Sequence, residues 1–186
     1  MIPRMTDQLA GAIAQQILIS EEQLRRRVEQ LGRDITRDFQ GKQPLFVCVL
    51  RGAVVFHSDL IRAVDLELTI DFISVSSYGE STDSSGEVRL VKDLETSIHG
   101  RDVILVEDIV DTGLTLRYLL SNLNSRNPQT LRVCSLLSKP DRRKVQIGVD
   151  YLGFEIPNHF VVGYGLDHNQ RFRNLPYIGI LETSMT

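Results

Sequence analysis

At 186 residues the chain is long enough to bury one substantial core without disulfide or metal staples, and too short for several ordinary domains. Its 42% hydrophobic and 24% charged residues are usual for a globular protein and exclude a low-complexity or disordered polymer. A net charge of −3 leaves no basic stripe for a nucleic-acid partner, and no apolar run approaches membrane-spanning length.

Met1 to Asp7 lacks the apolar stretch of a secretory signal, so a soluble, cytoplasmic protein is expected. Cys48 and Cys134 each lie inside an apolar run and read as buried free thiols of a reduced protein. Ser20 with Gln23 has the form of a capping box, and Leu24, Val28, Leu31, Ile35 and Phe39 then recur at helical spacing. Gly41 to Pro44 breaks that helix. Leu45 to Leu50 is a continuous apolar run, suited to a parallel strand covered on both faces. Ala53 to Val64 reads as a helix and Leu66 to Val75 as a β-rich segment. From Tyr78 to Gly86 nothing apolar follows the tyrosine, which predicts a mobile loop, with Glu87 to Val91 as the returning strand of a hairpin.

Val103 to Val106 predicts a further strand, Thr115 to Leu123 a helix, and Leu131 to Leu137 a strand ending at Lys139-Pro140. Beyond residue 151, short apolar pieces alternate with Gly, Pro and Asn. Strands alternating with helices predict an α/β fold with a mainly parallel sheet flanked by helices. One domain is expected over 1–186, with a core at roughly 40–150 and a small cap, or hood, from the N-terminal segment and 151–186. Ligands of such sheets bind at the carboxyl ends of strands. Arg51-Gly52, Glu107-Asp108 and Lys139 all fall at predicted strand ends.

The segment between Val103 and Leu116 carries the chemistry. An apolar strand leads into three carboxylates (Glu107, Asp108, Asp111), then Thr112-Gly113, then a periodic apolar helix. Amides and the positive dipole end of a helix N-terminus favour an anion, typically phosphate. Thr112 and Thr115 add hydroxyl donors, and Gly113 lets backbone approach closely. Carboxylates beside a phosphate repel it unless they face hydroxyl donors or a divalent cation. A phosphorylated sugar lying along the loop satisfies all of these groups. Gly113-Leu114-Thr115 has no lysine, so this is not the P-loop of an ATPase. An Asp-Thr-Gly protease site is excluded by the helical pattern after Gly113, because that site needs an all-β homodimer. Taken singly, the same residues have blander readings. Glu107 and Asp108 could be a charge pair at a helix start, Asp111 a cap for Thr115, and Arg51 or Lys139 a solvated cation after a strand.

Val106-Glu-Asp-Ile-Val-Asp-Thr-Gly-Leu-Thr115 resembles the phosphoribosyl-pyrophosphate loop of the type I phosphoribosyltransferases. Leu50-Arg51-Gly52, Ser76 to Gly79, Leu137 to Pro140, and Gly153 to Arg173 extend the likeness across most of the chain. The run Phe160 to Asp167 narrows it to the 6-oxopurine (hypoxanthine-guanine) branch. The resemblance implies transfer of a 5-phosphoribosyl group from phosphoribosyl pyrophosphate to hypoxanthine or guanine, with Mg²⁺ as cofactor, in a homodimer or homotetramer. It implies that Arg51, Gly52, Glu107, Asp108, Asp111, Thr112, Gly113, Leu114, Thr115 and Arg173 bind the sugar donor. Arg171 is a secondary candidate beside Arg173. Asp111 would be the general base or acid for a purine ring nitrogen. Lys139, Phe160, Val161 and Asp167 would bind the purine, and Glu107, Asp108 and Asp167 the metal. Ser77 and Tyr78 would begin a lid over the reaction centre. The Leu50-Arg51 turn would hold a cis peptide. Leu114 and Arg51 depart from the family's commoner residues; the first position contributes backbone, and at the second arginine offers pyrophosphate a bidentate fork. A phosphoribosyl-pyrophosphate sensor that regulates RNA or DNA, and a transferase acting on xanthine, remain alternatives on the same scaffold. Lys139 speaks against adenine, whose amino group would face a cation.

Overall fold

The computed structural model describes residues 16–77 and 88–181. Strand β1 (Gln16–Ile19) leads into helix α1 (Glu21–Asp38), opened by the anticipated capping box. Ser20 Oγ accepts from the Gln23 amide at 3.3 Å, and the Ser20 amide donates to Gln23 Oε1 at 2.8 Å. Leu24, Val28, Leu31 and Ile35 form its buried face, as their spacing predicts. Strand β2 (Leu45–Leu50), helix α2 (Val54–Ala63), strand β3 (Thr69–Ser77) and strand β4 (Val88–Lys92) follow. Then come strand β5 (Asp102–Val110), helix α3 (Leu114–Asn124), strand β6 (Thr130–Ser138), and strands β7 (Tyr151–Glu155), β8 (Val161–Val162) and β9 (Ile178–Ile180).

Six strands make one sheet in the order β4-β3-β2-β5-β6-β7, parallel except for β4, which returns antiparallel to β3. Successive strand side chains point to opposite faces, which splits the apolar runs into two cores. Phe46, Ile104, Val106 and Leu136 pack with α1 and α2 on one face. Leu45, Val47, Val49, Val103, Leu105 and Val133 pack with Leu116, Leu119 and Leu123 of α3 on the other. Cys48 and Cys134 are free and buried within the sheet. Strands β1, β9 and β8 form a small antiparallel sheet, the hood, in which β9 pairs with both β1 and β8. No described helix is long and apolar enough to cross a membrane.

Two boundaries differ from the sequence expectation. Strand β5 does not stop at Val106 but runs on to Val110, so Glu107 and Asp108 stand on the strand rather than in the loop. The cause is its partner: β6 continues the ladder with Ile109 opposite Leu137 and Val110 opposite Ser138. Residues 151–155, expected in the cap, are the edge strand β7 of the main sheet. There Arg27 of α1 donates to the Leu152 carbonyl at 2.5 Å and the Gly153 carbonyl at 3.0 Å. Gly153 is needed because a Cβ there would run into the Leu136 carbonyl. Ser77 is the last residue of β3. Tyr78 and the rest of the predicted lid tip lie outside the described residues.

Candidate active site

The segment Asp111 to Gly113 connects β5 to α3. Gly113 caps the helix at φ +82°, a left-handed conformation natural to glycine, and a Cβ there would come 2.9 Å from Val145 Cγ2. Thr112 Oγ1 accepts from the Leu114 amide at 3.4 Å, and the Thr112 carbonyl accepts from the Lys144 amide at 3.0 Å. The first helical bond runs from the Arg117 amide to the Gly113 carbonyl, 2.9 Å. The amides of Leu114, Thr115 and Leu116 precede it, so they have no partner one turn back and are directed out of the helix tip. No acidic side chain occupies the first turn of α3.

Immediately upstream, Glu107 is buried, and burial together with the neighbouring Asp108 pushes its pKa well above the usual carboxylate range. Asp108 is likewise raised, chiefly by burial; Asp167 adds to the shift while Arg173 and the Ile109 amide (2.8 Å) oppose it. Two vicinal carboxyl groups held this way favour hydroxyl donors or a cation as neighbours.

The turn after β2 completes this floor. The Leu50–Arg51 peptide is cis. A Cβ at Gly52 would land on the Asp108 carboxylate, so the glycine leaves that side chain its place. Gly165 of the hood, at φ +102°, abuts the Gly52 carbonyl in the same way. The hood thereby closes against the strand ends. Arg173 pairs with Asp167 Oδ1 at 2.6 Å and donates to the Gly165 carbonyl at 2.7 Å. Gln170, which sequence reasoning missed, joins the two arginines expected at the pyrophosphate. Its Oε1 accepts from Arg173 Nη2 at 3.2 Å and from Arg51 Nη1 at 3.3 Å. Arg171, the secondary candidate, lies over the Phe172 ring at 5.2 Å instead.

Lys139 directly follows β6, its amide donating to the Val110 carbonyl at 3.0 Å. It is buried, and burial lowers its pKa against the pull of Asp111. Asp111 meets Arg142 Nε at 3.2 Å on the surface. Phe160 is 45% exposed despite its apolar neighbourhood, while Val161 is buried in β8. His168 stands edge-on to the Phe160 ring with centroids 5.4 Å apart.

Among the described residues no three His, Cys, Asp or Glu side chains form a ready-made metal cage. Glu107, Asp108 and Asp167 are therefore not assembled as one, because Asp167 is tied to Arg173 and to the Gln170 amide (2.8 Å). Asp108 and Asp167 still feel each other's charge. That open pair fits Mg²⁺, which takes one or two protein carboxylates and fills its octahedron with substrate oxygens and water. A cleft of about 610 Å³ between α1, α2 and residues 173–176 shares only Arg173 with these groups.

A strand bearing the buried Glu107 and half-buried Asp108 near its end, followed by a glycine-capped helix tip, is an arrangement suited to a phosphorylated sugar. A model of the phosphoribosyl transferase domain matches residues 15–169, and the chain belongs to that family. It is 49% identical to the hypoxanthine-guanine phosphoribosyltransferase of Bacillus subtilis over 92% of this chain and 95% of the relative. The enzyme of that name from Mycobacterium tuberculosis is 49% identical over 97% of this chain and 92% of its own. Among solved structures, a hypoxanthine phosphoribosyltransferase from Staphylococcus aureus superposes with a TM-score of 0.90 at 45% identity, covering 94% of this chain and 95% of that one. A hypoxanthine-guanine phosphoribosyltransferase from Bacillus anthracis gives 0.87 at 48% identity, covering 90% and 99%.

Proposed function

We propose that the protein transfers the 5-phosphoribosyl group of phosphoribosyl pyrophosphate to N9 of hypoxanthine or guanine, a purine-salvage reaction. The observation that carries this reading is the left-handed Gly113 cap on α3, just behind a strand that bears the buried Glu107 beside the half-buried Asp108. The family resemblance supports a homodimer or homotetramer as the working form.

In the reaction the C1–oxygen bond to pyrophosphate breaks with its electron pair on the leaving group, the C1–N9 bond forms, and a purine proton is lost. Amides of residues 112 to 115 and the Thr112 and Thr115 hydroxyls hold the 5′-phosphate at the helix tip. Ribose hydroxyls donate to Glu107 and Asp108, and this offsets the desolvation that raises their pKa. Arg51 and Arg173, kept together by Gln170, receive the pyrophosphate as charge builds on it. Asp108 and Asp167, with Glu107, would hold Mg²⁺, which when bound would supply positive charge that makes pyrophosphate a better leaving group.

Lys139 donates to the exocyclic oxygen at purine position 6, Phe160 stacks on the ring, and Val161 presents backbone groups to its edge. Asp111 exchanges the ring proton as positive charge develops on the sugar. Ser77 and Tyr78 begin the lid that excludes water. Neither thiol competes as a nucleophile, since burial pushes Cys48 up to about 12 and Cys134 higher still.

Mixing the protein with Mg²⁺, phosphoribosyl pyrophosphate and each purine in turn, while following ultraviolet spectra, tests the reading. Hypoxanthine or guanine is converted only when the sugar donor is present, and adenine is not. No conversion of either oxopurine would overturn it.

A further inference from the structure

Beside the phosphate loop lies a cation that the mechanism above does not use. Arg143 follows the short turn after Lys139 and sends its guanidinium back toward the strand end. Its Nη2 donates to the buried Ser138 Oγ at 3.0 Å, on the last residue of β6. Its Nη1 stands 3.4 Å from where a Cβ on Gly113 would sit, so the group spans the gap between the purine-reading strand end and the phosphate loop. That Nη1 is buried and has no hydrogen-bond partner. Leaving a buried guanidinium N–H unpaired costs free energy, and such atoms are rare unless something arrives to pair them.

The carboxylate whose charge acts on Arg143 is Asp111. Its charge raises the Arg143 pKa against the lowering effect of burial, and it acts on Lys139 in the same direction. The charged groups around this carboxylate are Lys139, Arg142 and Arg143. In the structure it pairs outward with Arg142 at 3.2 Å, where the two side chains are 47% and 39% exposed. An ion pair that open to water contributes little and is easily given up. A charge-assisted bond to a buried guanidinium is the stronger of the two.

We propose that Arg143 is a positioning residue for Asp111, its unpartnered inner Nη1 mooring the carboxylate when purine is bound, in exchange for the outer pair with Arg142. The inward position brings Asp111 toward Lys139, so that the proton-exchanging group and the oxygen-reading group address one base together. The proposal rests on the assignment of Asp111 to the purine proton, and its test separates the two.

Steady-state kcat and KM are measured for Arg143→Gln, Arg143→Lys, Asp111→Asn and the Asp111→Asn/Arg143→Gln pair. Arg143→Gln lowers kcat about tenfold with the KM for phosphoribosyl pyrophosphate within about twofold, and in the Asp111→Asn background it costs less than about twofold more. Arg143→Lys recovers most of the loss, since it restores the cation without the full fork. If Arg143→Gln does not fold, Ser138→Ala, which releases Nη2, replaces it and shows the same non-additivity with Asp111→Asn. Losses that multiply between the two sites, a change confined to KM, or a fall in Tm with kcat unchanged would each overturn the proposal. An Asp111→Asn enzyme with full turnover would sink the underlying assignment instead.

Discussion

The sheet-side half of the site hangs on β2, β5 and β6, strands buried on both faces and laddered to their neighbours over nearly their whole length. The hood-side half hangs on residues 163–173, where Gly163, Tyr164, Gly165, Asn169, Gln170 and Phe172 all take positive φ. Backbone hydrogen bonds fix the first half. The second has only short-range turn bonds, such as the Tyr164 amide to the Leu175 carbonyl (2.8 Å) and the Gly165 amide to the Arg173 carbonyl (2.9 Å), and adds side-chain ties: Tyr164 Oη donates to Asp59 at 2.6 Å, and Arg173 grips Asp167 and the Gly165 carbonyl. The groups assigned to the phosphate and the ribose therefore sit on a pre-set frame. Asp167 and Arg173, assigned to the metal and the leaving group, sit on a segment whose geometry depends on its own contacts.

Mutations on either side sharpen this contrast. The largest kinetic effect belongs to the end of β5. Asp111→Asn lowers kcat by about 10² to 10⁴-fold, while the KM for phosphoribosyl pyrophosphate stays within about threefold, as rapid-quench or spectrophotometric turnover would show. In the frame itself, Leu105→Ala removes a fully buried side chain of β5. It costs about 2–5 kcal/mol in urea unfolding, because neighbours packed on both sides cannot collapse into the space.

His57 of α2 probes the same frame through pH. Burial holds it down to about 4 from its ordinary 6.5, between the Phe46 and Phe72 rings with Nε2 unpartnered. Between those two values the unfolded chain binds a proton that the folded chain refuses. Stability is therefore intact above about pH 6.5 and falls as pH drops toward 4, by at most about 3 kcal/mol. His57→Leu flattens that part of the pH–stability curve. The smallest free-energy effect lies in the hood. Phe160→Ala leaves Tm nearly unchanged, because the ring is 45% exposed. It raises the KM for purine about tenfold through lost stacking. A large fall in Tm with unaltered KM would make Phe160 a packing residue and erase the contrast.

The same division decides what can be read from the chain alone. The capping box at Ser20, the apolar runs of β2, β5 and β6, and the acid–glycine motif are local patterns whose chemistry names their structure. Where β5 stops was not legible, because the strand is prolonged past Val106 by pairing with β6, a contact made across 28 residues of sequence. The place of β7 in the main sheet depends on Arg27, more than a hundred residues upstream. Gln170 became visible only once positive φ values at Asn169 and Gln170 had brought its amide between Arg51 and Arg173. His168 and Arg143 belong to the same class. Each is an ordinary polar residue in sequence, given meaning by what folding places beside it.

The most direct test of the central claim is a crystal structure of the protein with Mg²⁺ and phosphoribosyl pyrophosphate. The account predicts the 5′-phosphate on the amides of residues 112–115 and the ribose hydroxyls on Glu107 and Asp108. Donor bound elsewhere, with the tip of α3 unengaged, would contradict it.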